Sequence, residues 1–413
     1  MLRAGLQADR AGIGHFPEES LKDGYMKTVL LVTDIAFWQN TIGSHMRIQG
    51  LVRHLARHHD VCVFYLKTVP ASVQADLAAV GLRNVRVAGY KEYSDRKLPF
   101  RRALCQMDFF RDRAPEDFVS ALMAFLSENP VQALIFEYVR LAYLLDGCPP
   151  GIPTILDTHD VMSARTISLR RAGQVASIEM SAAQEIAILR RFDRVLAISR
   201  ADVVHLQGMI GAAPVIYTPH SVRAQPVHAV RPGFGGRLLF VGANTAPNVG
   251  GLRWFLDQLW PLLQPQGYGL DVVGTVCDAV TTPPRGVVLH GQCDDLQPHL
   301  DAADIAINPV FVGGGLKIKC LDALAAGLPC ITTAEGAAGL DGARGAGLVV
   351  ANTRLAFLGA IRHFAASAGD RRVVAALAPR CIAAEFGDEA AYRGLAAWLE
   401  GSAATGRALE VRA

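Results

Sequence analysis

The feature that most constrains this chain is a series of short, continuously apolar runs separated by stretches of helical composition. In the first half these are "VLLVTD" (29–34), "VCVFYL" (61–66), "ALIFE" (133–137), "TILD" (154–157) and "VLAIS" (195–199). In the second they are "RLLFVG" (237–242), "LDVVG" (270–274), "VVLHG" (287–291), "IAINP" (305–309) and "CITT" (330–333). Strands that do not alternate apolar with polar are covered by helices on both faces, which predicts parallel sheets built from βαβ units. Between the two sets lies "SVRAQPVHAVRPGFGG" (221–236), rich in Pro and Gly and without helical periodicity, as an interdomain linker would be. A chain of 413 residues also exceeds what one ordinary core accommodates. The expectation is an α/β protein of two doubly wound, Rossmann-like domains facing each other across a cleft.

In such sheets ligands bind beyond the carboxyl ends of the strands. Here those ends carry Asp34, Asp157, Ser199, Gly242, Gly274, Gly291, Pro309 and Thr332. Polar or glycine residues after apolar strand bodies suit a cleft lining; for any one of them, ordinary turn chemistry is the competing explanation.

Composition removes several function classes. A net charge of +3 is too small for the concentrated basic face that nucleic acid requires. The eight cysteines are scattered and form no CxxC pair, which reads as free thiols in a reducing, cytoplasmic setting, with no structural zinc. No window of about 18 residues is free of charge, so no spanning helix is expected. The opening "MLRAGLQADRAGIGHFPEES" lacks a continuous apolar stretch, and residues 1–25 read as a flexible extension before "TVLLVTD". The segment "RKLPFRRALCQMDFFRDR" (96–113) mixes basic residues with Phe100, Phe109 and Phe110, a pattern suited to peripheral contact with the inner face of an anionic membrane. The competing reading is a helix with aromatic core contacts and arginines in solvent.

The most chemical stretch is "FVGGGLKIKCLDALAAGLP" (311–329). Gly313, Gly314 and Gly315 precede an expected helix over 316–326, and a glycine turn opening a helix offers uncovered amides and the positive end of a dipole to a phosphate. Neither the dinucleotide glycine pattern nor the P-loop pattern is present. The lysines sharpen the signal: the chain has seven against 34 arginines, and beyond residue 97 the only two are Lys317 and Lys319. A lysine ammonium is a compact point charge suited to phosphate. The competing reading is a Lys319–Asp322 surface pair, worth about 0.2–0.5 kcal/mol, on a helix otherwise too apolar to be a solvated face.

With these residues in view, "NPVFVGGGLKIKCLDALAAGLPCITTAEGAAGL" (308–340) resembles the donor-binding signature of glycosyltransferase family 4, of GT-B fold. "RLLFVGANTAPNVGGLRWFLDQLWPLL" (237–263) resembles the opening of the same domain, and "PTILDTHDVMSARTISLRRAG" (153–173) with "EIAILRRFDRVLAISRADVVHL" (185–206) resembles the acceptor-side domain. The resemblance implies an acceptor-side domain over 26–222, a linker at 223–236, a nucleotide-sugar donor domain over 237–385, and a C-terminal helix in 386–413 packing back toward the first domain. It implies retaining transfer from a nucleoside-diphosphate sugar to a glycan, lipid-linked or protein acceptor, without metal or cofactor. A sugar-nucleotide epimerase and a weakly active donor-binding partner subunit are the competing functions.

Residue by residue, the resemblance assigns Lys319, Lys317 and the Gly313–Gly315 amides to the diphosphate, and Asp322 to the ribose. It assigns Gly291 and Gln292 to the base, and Gly242, Asn244 and Ser199 to the cleft wall. His159, with Asp160 and with Gly43 in the loop after strand one, falls at the reaction centre. Asp157 and Asp160 flank His159 and are the acids expected to orient it; an N-cap role is the competing reading for Ser199. Two departures stand out: Gly314 occupies the position of the family's first acid, and Asn244 and Asn248 stand where many members carry an Arg/Lys pair.

Overall fold

The computed structural model describes residues 28–39, 43–94, 117–171, 173, 178–223, 229–293, 295–313 and 316–410, with side chains to residue 401. Residues 1–25, the segment 96–113, Gly314 and Gly315 lie outside the described residues.

The first sheet is formed by β1 (Thr28–Thr33), β2 (Asp60–Tyr65), β3 (Val85–Gly89), β4 (Ala133–Glu137), β5 (Thr154–Asp157), β6 (Arg194–Ala197) and β7 (Val215–Tyr217). The second comprises β8 (Arg237–Val241), β9 (Gly269–Val273), β10 (Val287–Gly291), β11 (Ile305–Asn308), β12 (Cys330–Thr332) and β13 (Leu348–Val350). Strand order is β3-β2-β1-β4-β5-β6-β7 in one and β10-β9-β8-β11-β12-β13 in the other, and every pairing is parallel. Both sheets are therefore doubly wound, and their order reverses between β1 and β4 and between β8 and β11. Those two points are where a doubly wound sheet opens a crevice for ligand.

The ten apolar runs all form strands, within a residue or two at each end. Three further strands, β3, β7 and β13, carry no such run. β3 and β7 are the edges of the first sheet and β13 an edge of the second, and each is covered less completely than the central strands. A strand half open to solvent has no need of a continuous apolar sequence.

The central strands place Leu30, Val32, Leu134 and Phe136 in one layer of the first domain and Val29, Leu31, Ile135 and Ile155 in the other. The second domain has a single core around Leu238, Phe240, Val272, Ile305 and Ile331. The chain's last helix, Asp388–Glu410, leaves the second domain after Phe386 and contributes Ala391, Tyr392, Leu395 and Leu399 to the first domain's core. Arg57 grips its first turn through Asp388 at 2.8 Å and Glu389 at 2.9 Å, where acids also suit the helix dipole. Gln132 donates to the Leu399 carbonyl at 3.1 Å.

The segment joining the domains is held at both ends. Val222 N–H donates to the Phe386 carbonyl at 2.7 Å. The buried Arg371 guanidinium bonds the carbonyls of Phe364, Ala365, Arg231 and Gly233, so its charge is met by backbone oxygens, two of them at the end of the helix Arg354–Ala366. Gly235 lies against that guanidinium, where an added Cβ would come within 2.4 Å of its Cζ.

Leu395 is fully buried although it lies far along the chain from the sheet it covers. Leu395→Ala is expected to cost about 2–5 kcal/mol of stability. Denaturant unfolding checks this; a loss below about 0.5 kcal/mol, typical of a surface position, would show that the helix adds nothing to that core.

Candidate active site

In the first domain the site is built at the carboxyl ends of β4 and β5. Glu137 ends β4 and Asp157 ends β5; both are fully buried. Arg47, on the helix Gly43–Leu55, bonds both Asp157 oxygens, through Nε at 2.8 and 3.1 Å and Nη2 at 2.7 Å. Its Nη1 donates to the Thr218 carbonyl just beyond β7 at 3.0 Å. Burial works against the Arg47 charge, but Asp157 more than offsets it and holds the guanidinium protonated.

With Asp157 so engaged, it is not the acid that orients His159. Glu137 Oε2 lies 2.5 Å from His159 Nε2, whereas Asp157 Oδ2 is 4.0 Å away. Asp160 instead meets Arg165 at 3.4 Å. The expectation that Asp157 and Asp160 orient the histidine is corrected, because strand pairing sets β4 beside β5 and brings an acid 22 residues upstream directly against the ring. Burial and the Asp157 charge together push the Glu137 carboxyl up.

His159 and Tyr138 are the two non-glycine residues with positive φ among the described residues, at 59° and 74°. Each follows the last residues of a strand, and their rings stack 3.9 Å apart at 12°. Positive φ at Tyr138 is costly, and such strain persists where the surroundings over-determine the geometry. Here β4 and β5, the ring stack and the Glu137 bond all fix the imidazole. Glu137, Asp157 and His159 also present donor atoms within 4.8 Å of one another, a grouping able to hold a metal ion, but both Asp157 oxygens are already filled by Arg47.

In the second domain the site flanks the reversal between β8 and β11. The expected helix over 316–326 runs from Ile318 to Ala325, with Lys317 at its N-cap in non-helical conformation. Lys319 does not pair with Asp322. Its Nζ donates to Asn248 Oδ1 at 2.6 Å and lies 4.8 Å above the Phe240 ring. Asn248, on the helix Ala246–Gln258 that follows β8, is itself held by a bond to the Ala243 carbonyl at 2.9 Å. The departure noted at 248 therefore places a neutral acceptor, not a competing cation, beside Lys319. That helix can approach so closely because Gly251 lies against Pro309, where a Cβ would come within 2.4 Å of the carbonyl oxygen.

Burial pulls the Lys319 ammonium down to about 8 and pushes the Asp322 carboxyl up to about 7. Lys317 Nζ sits 3.4 Å from Glu335 Oε1, and its charge reaches across the cleft to Asp160, whose carboxyl burial otherwise pushes up. The domains meet around this point. A Cβ on Gly43 would stand 3.1 Å from Ile318 Cδ1, and one on Gly339 would stand 2.9 Å from Ser199 Cβ. Gly43 is the first residue of a helix rather than part of a loop. The Ser199 hydroxyl caps the helix Arg200–Ile210, accepting from Asp202 N–H at 3.0 Å, while its Cβ lies against Gly339 of the second domain.

Gly313 adopts φ of 141° at the turn before Lys317. Gly242, Gly274 and Gly291 line the carboxyl ends of β8, β9 and β10, with Gly291 accepting from Gly274 N–H at 2.7 Å. Asn244 is exposed and uses its backbone N–H on Thr275, and Gln292 is exposed beyond β10. Glu137, Arg47, Tyr138 and Glu335 were not singled out from sequence. Glu137 was within reach, as an acid ending an apolar run; Arg47 was not, since only folding pairs it with a residue 110 positions away.

The folded Asp322 keeps its proton up to about pH 7, whereas the unfolded carboxyl releases it near 3.8. The folded state thus binds more protons across that window, and stability falls as pH rises through it. Asp322→Asn is expected to raise the melting temperature above about pH 7 and leave it nearly unchanged near about pH 4. Paired thermal melts check this; an equal gain at both pH values would show that no ionisation penalty exists.

Comparison with known proteins extends the geometry. Residues 235–367 match the family model of "Glycosyl transferases group 1". An uncharacterised 44.6 kDa protein in the cps region of Klebsiella pneumoniae is 27% identical over 134 residues, which is 29% of this chain and 34% of that protein. The match thus spans about a third of that relative's length. Among solved structures, Staphylococcus aureus TarM in complex with fondaparinux, α-GlcNAc-glycerol and UDP superposes with a TM-score of 0.69 at 8% identity, covering 91% of this chain and all (100%) of that one. Anabaena HepE in complex with UDP and glucose superposes with a TM-score of 0.65 at 13% identity, covering 91% and 100%. The match to the group 1 glycosyltransferase model falls on the second domain, and the chain as a whole has the GT-B fold of those structures.

Proposed function

We propose, on that premise, that the protein transfers a sugar from a nucleoside-diphosphate sugar to a glycan, lipid-linked or protein acceptor, with retention of configuration. The bond from the sugar's anomeric carbon to the diphosphate breaks, and a bond to the acceptor oxygen forms on the same face. The acceptor's hydroxyl proton passes to the departing diphosphate oxygen. The observation that carries this reading is the pair Lys317 and Lys319 at the start of a helix, on the cleft, facing the His159 side of the first domain. Negative charge develops on the leaving diphosphate, and preorganised cations and amides at that position stabilise the transition state. Two lysines would supply this charge without a metal ion. Asp322 would accept from the ribose, and His159, fixed by Glu137, would address the sugar end.

Surface polysaccharide or glycoconjugate synthesis is the setting this reading favours, supported by the cps-region relative. No helix among the described residues is long and apolar enough to cross a membrane. A peripheral station at the inner membrane face would fall to the basic, aromatic segment 96–113.

A melting-shift panel of UDP, GDP and ADP with their sugar conjugates identifies the donor; a ligand at about a hundredfold its Kd stabilises by about 2.7 kcal/mol. Failure of every nucleotide to shift the melting temperature would overturn the reading. Incubation with the donor alone and then with acceptors separates transfer from epimerisation, which consumes donor without acceptor. Lys319→Ala is expected to lower turnover at least about tenfold with the fold intact, and near-normal turnover would refute its role. Nucleoside-diphosphate affinity is expected to fall above about pH 8, as Lys319 loses its proton and its hold on the diphosphate, and below about pH 7, as Asp322 gains one and accepts less well from the ribose. Calorimetric titration across pH measures both limbs.

A further inference from the structure

We propose that Glu335 is the carboxylate that receives hydroxyl groups of the transferred sugar, supplied by the loop after β12 rather than by residue 314. Glu335 Oε1 lies 3.4 Å from Lys317 Nζ and remains partly exposed, at 29% of its side chain. A Cβ placed on Gly313 would be 3.7 Å from that oxygen, 3.9 Å from Lys317 Nζ and 4.0 Å from Pro247 Cγ. The carboxylate therefore stands at the glycine turn that opens the lysine-bearing helix.

The loop that carries it is tightly held on both sides. Thr333 Oγ1 donates to the Val310 carbonyl and accepts from Gly336 N–H at 3.0 Å, and Ala334 N–H donates to Asn352 Oδ1 at 2.7 Å. Ala337 N–H closes the turn on the Thr333 carbonyl at 2.9 Å. Gly336 is wedged so closely that a Cβ would come within 2.0 Å of Thr332 Oγ1 and 2.6 Å of Asn308 Nδ2. A side chain between two such anchored neighbours is presented from a rigid base.

Its chemistry restricts what it can meet. An ionised carboxylate only accepts hydrogen bonds, and beside an anion site it repels the diphosphate itself. Two parts of the donor adjoin the diphosphate and offer hydroxyl donors, the ribose and the sugar; with Asp322 taking the ribose, the sugar is the part left for Glu335. Lys317, paired with Glu335 at 3.4 Å, also acts on Asp160, the residue after His159, so the carboxylate adjoins the lysine whose charge reaches the first domain. A site built to accept from a substrate hydroxyl discriminates strongly against sugars that lack it there.

The assignment rests on the nucleoside-diphosphate-sugar reading above, and calorimetry of wild type, Glu335→Gln and Glu335→Asp separates the two. Each is titrated with UDP, GDP and ADP and with their sugar conjugates, and turnover is measured on the conjugate that binds. Glu335→Gln keeps the shape and removes the charge. Removing a carboxylate that repels the anion is expected to leave free-diphosphate affinity unchanged or raise it, while lowering kcat/KM for the conjugate by about tenfold or more, with Glu335→Asp intermediate. If conjugate and free diphosphate weaken together, or neither changes, Glu335 does not touch the sugar and the assignment falls alone. If wild type binds no nucleoside diphosphate, the underlying reading falls and takes this one with it.

Discussion

The buried pair Arg47–Asp157 is the interaction on which the first half of the site depends. It joins the first helix to the end of β5 and, through the Thr218 carbonyl, to the sheet's far edge. Two charges removed from water repay their desolvation only with near-ideal geometry, which the doubly bonded carboxylate provides. The consequence reaches the next residues. One guanidinium stands against two buried carboxylates, so Glu137 is left to bond His159, 2.5 Å away. The Arg47 pair thereby leaves Glu137 as the partner of the imidazole and releases Asp157 from that role.

The second half of the site has the opposite character. Among the described residues Lys319 meets neutral partners, the Asn248 oxygen and the Phe240 face, and burial lowers its proton affinity. Asp322, three residues along, is pushed the other way by the same cause. Neither charge is answered by the other, although the helix spacing would allow it. An arrangement that keeps a cation and an acid apart at a cost in stability is suited to a ligand that satisfies both: an anion for the first and a hydroxyl donor for the second.

Much of this was legible in the sequence, and the reasons differ from element to element. Nine of the ten runs were readable because they lie in central strands, where burial on both faces demands continuous apolar sequence; the tenth, β10, is an edge strand whose run is apolar although it is partly exposed. The edge strands β3, β7 and β13 were not, since partial exposure relaxes that demand. The lysines of 317 and 319 stood out against a chain that otherwise uses arginine, and the glycines beside them marked the helix start. The orienting acid was misassigned because neighbours in sequence, Asp157 and Asp160, are not the neighbours of His159 in space.

By itself, then, the sequence determined two doubly wound domains, the place of the cleft at their strand ends, and the lysine-bearing turn that stands on that cleft. These are local or periodic properties, written in consecutive residues. Only the tertiary structure decided the pairings: Glu137 with His159, Arg47 with Asp157, Asn248 with Lys319, Glu335 with Lys317, and the last helix with the first core. Each joins residues from different elements, and parallel sheet order, not chain distance, sets which strand ends and loops come within a hydrogen bond of each other.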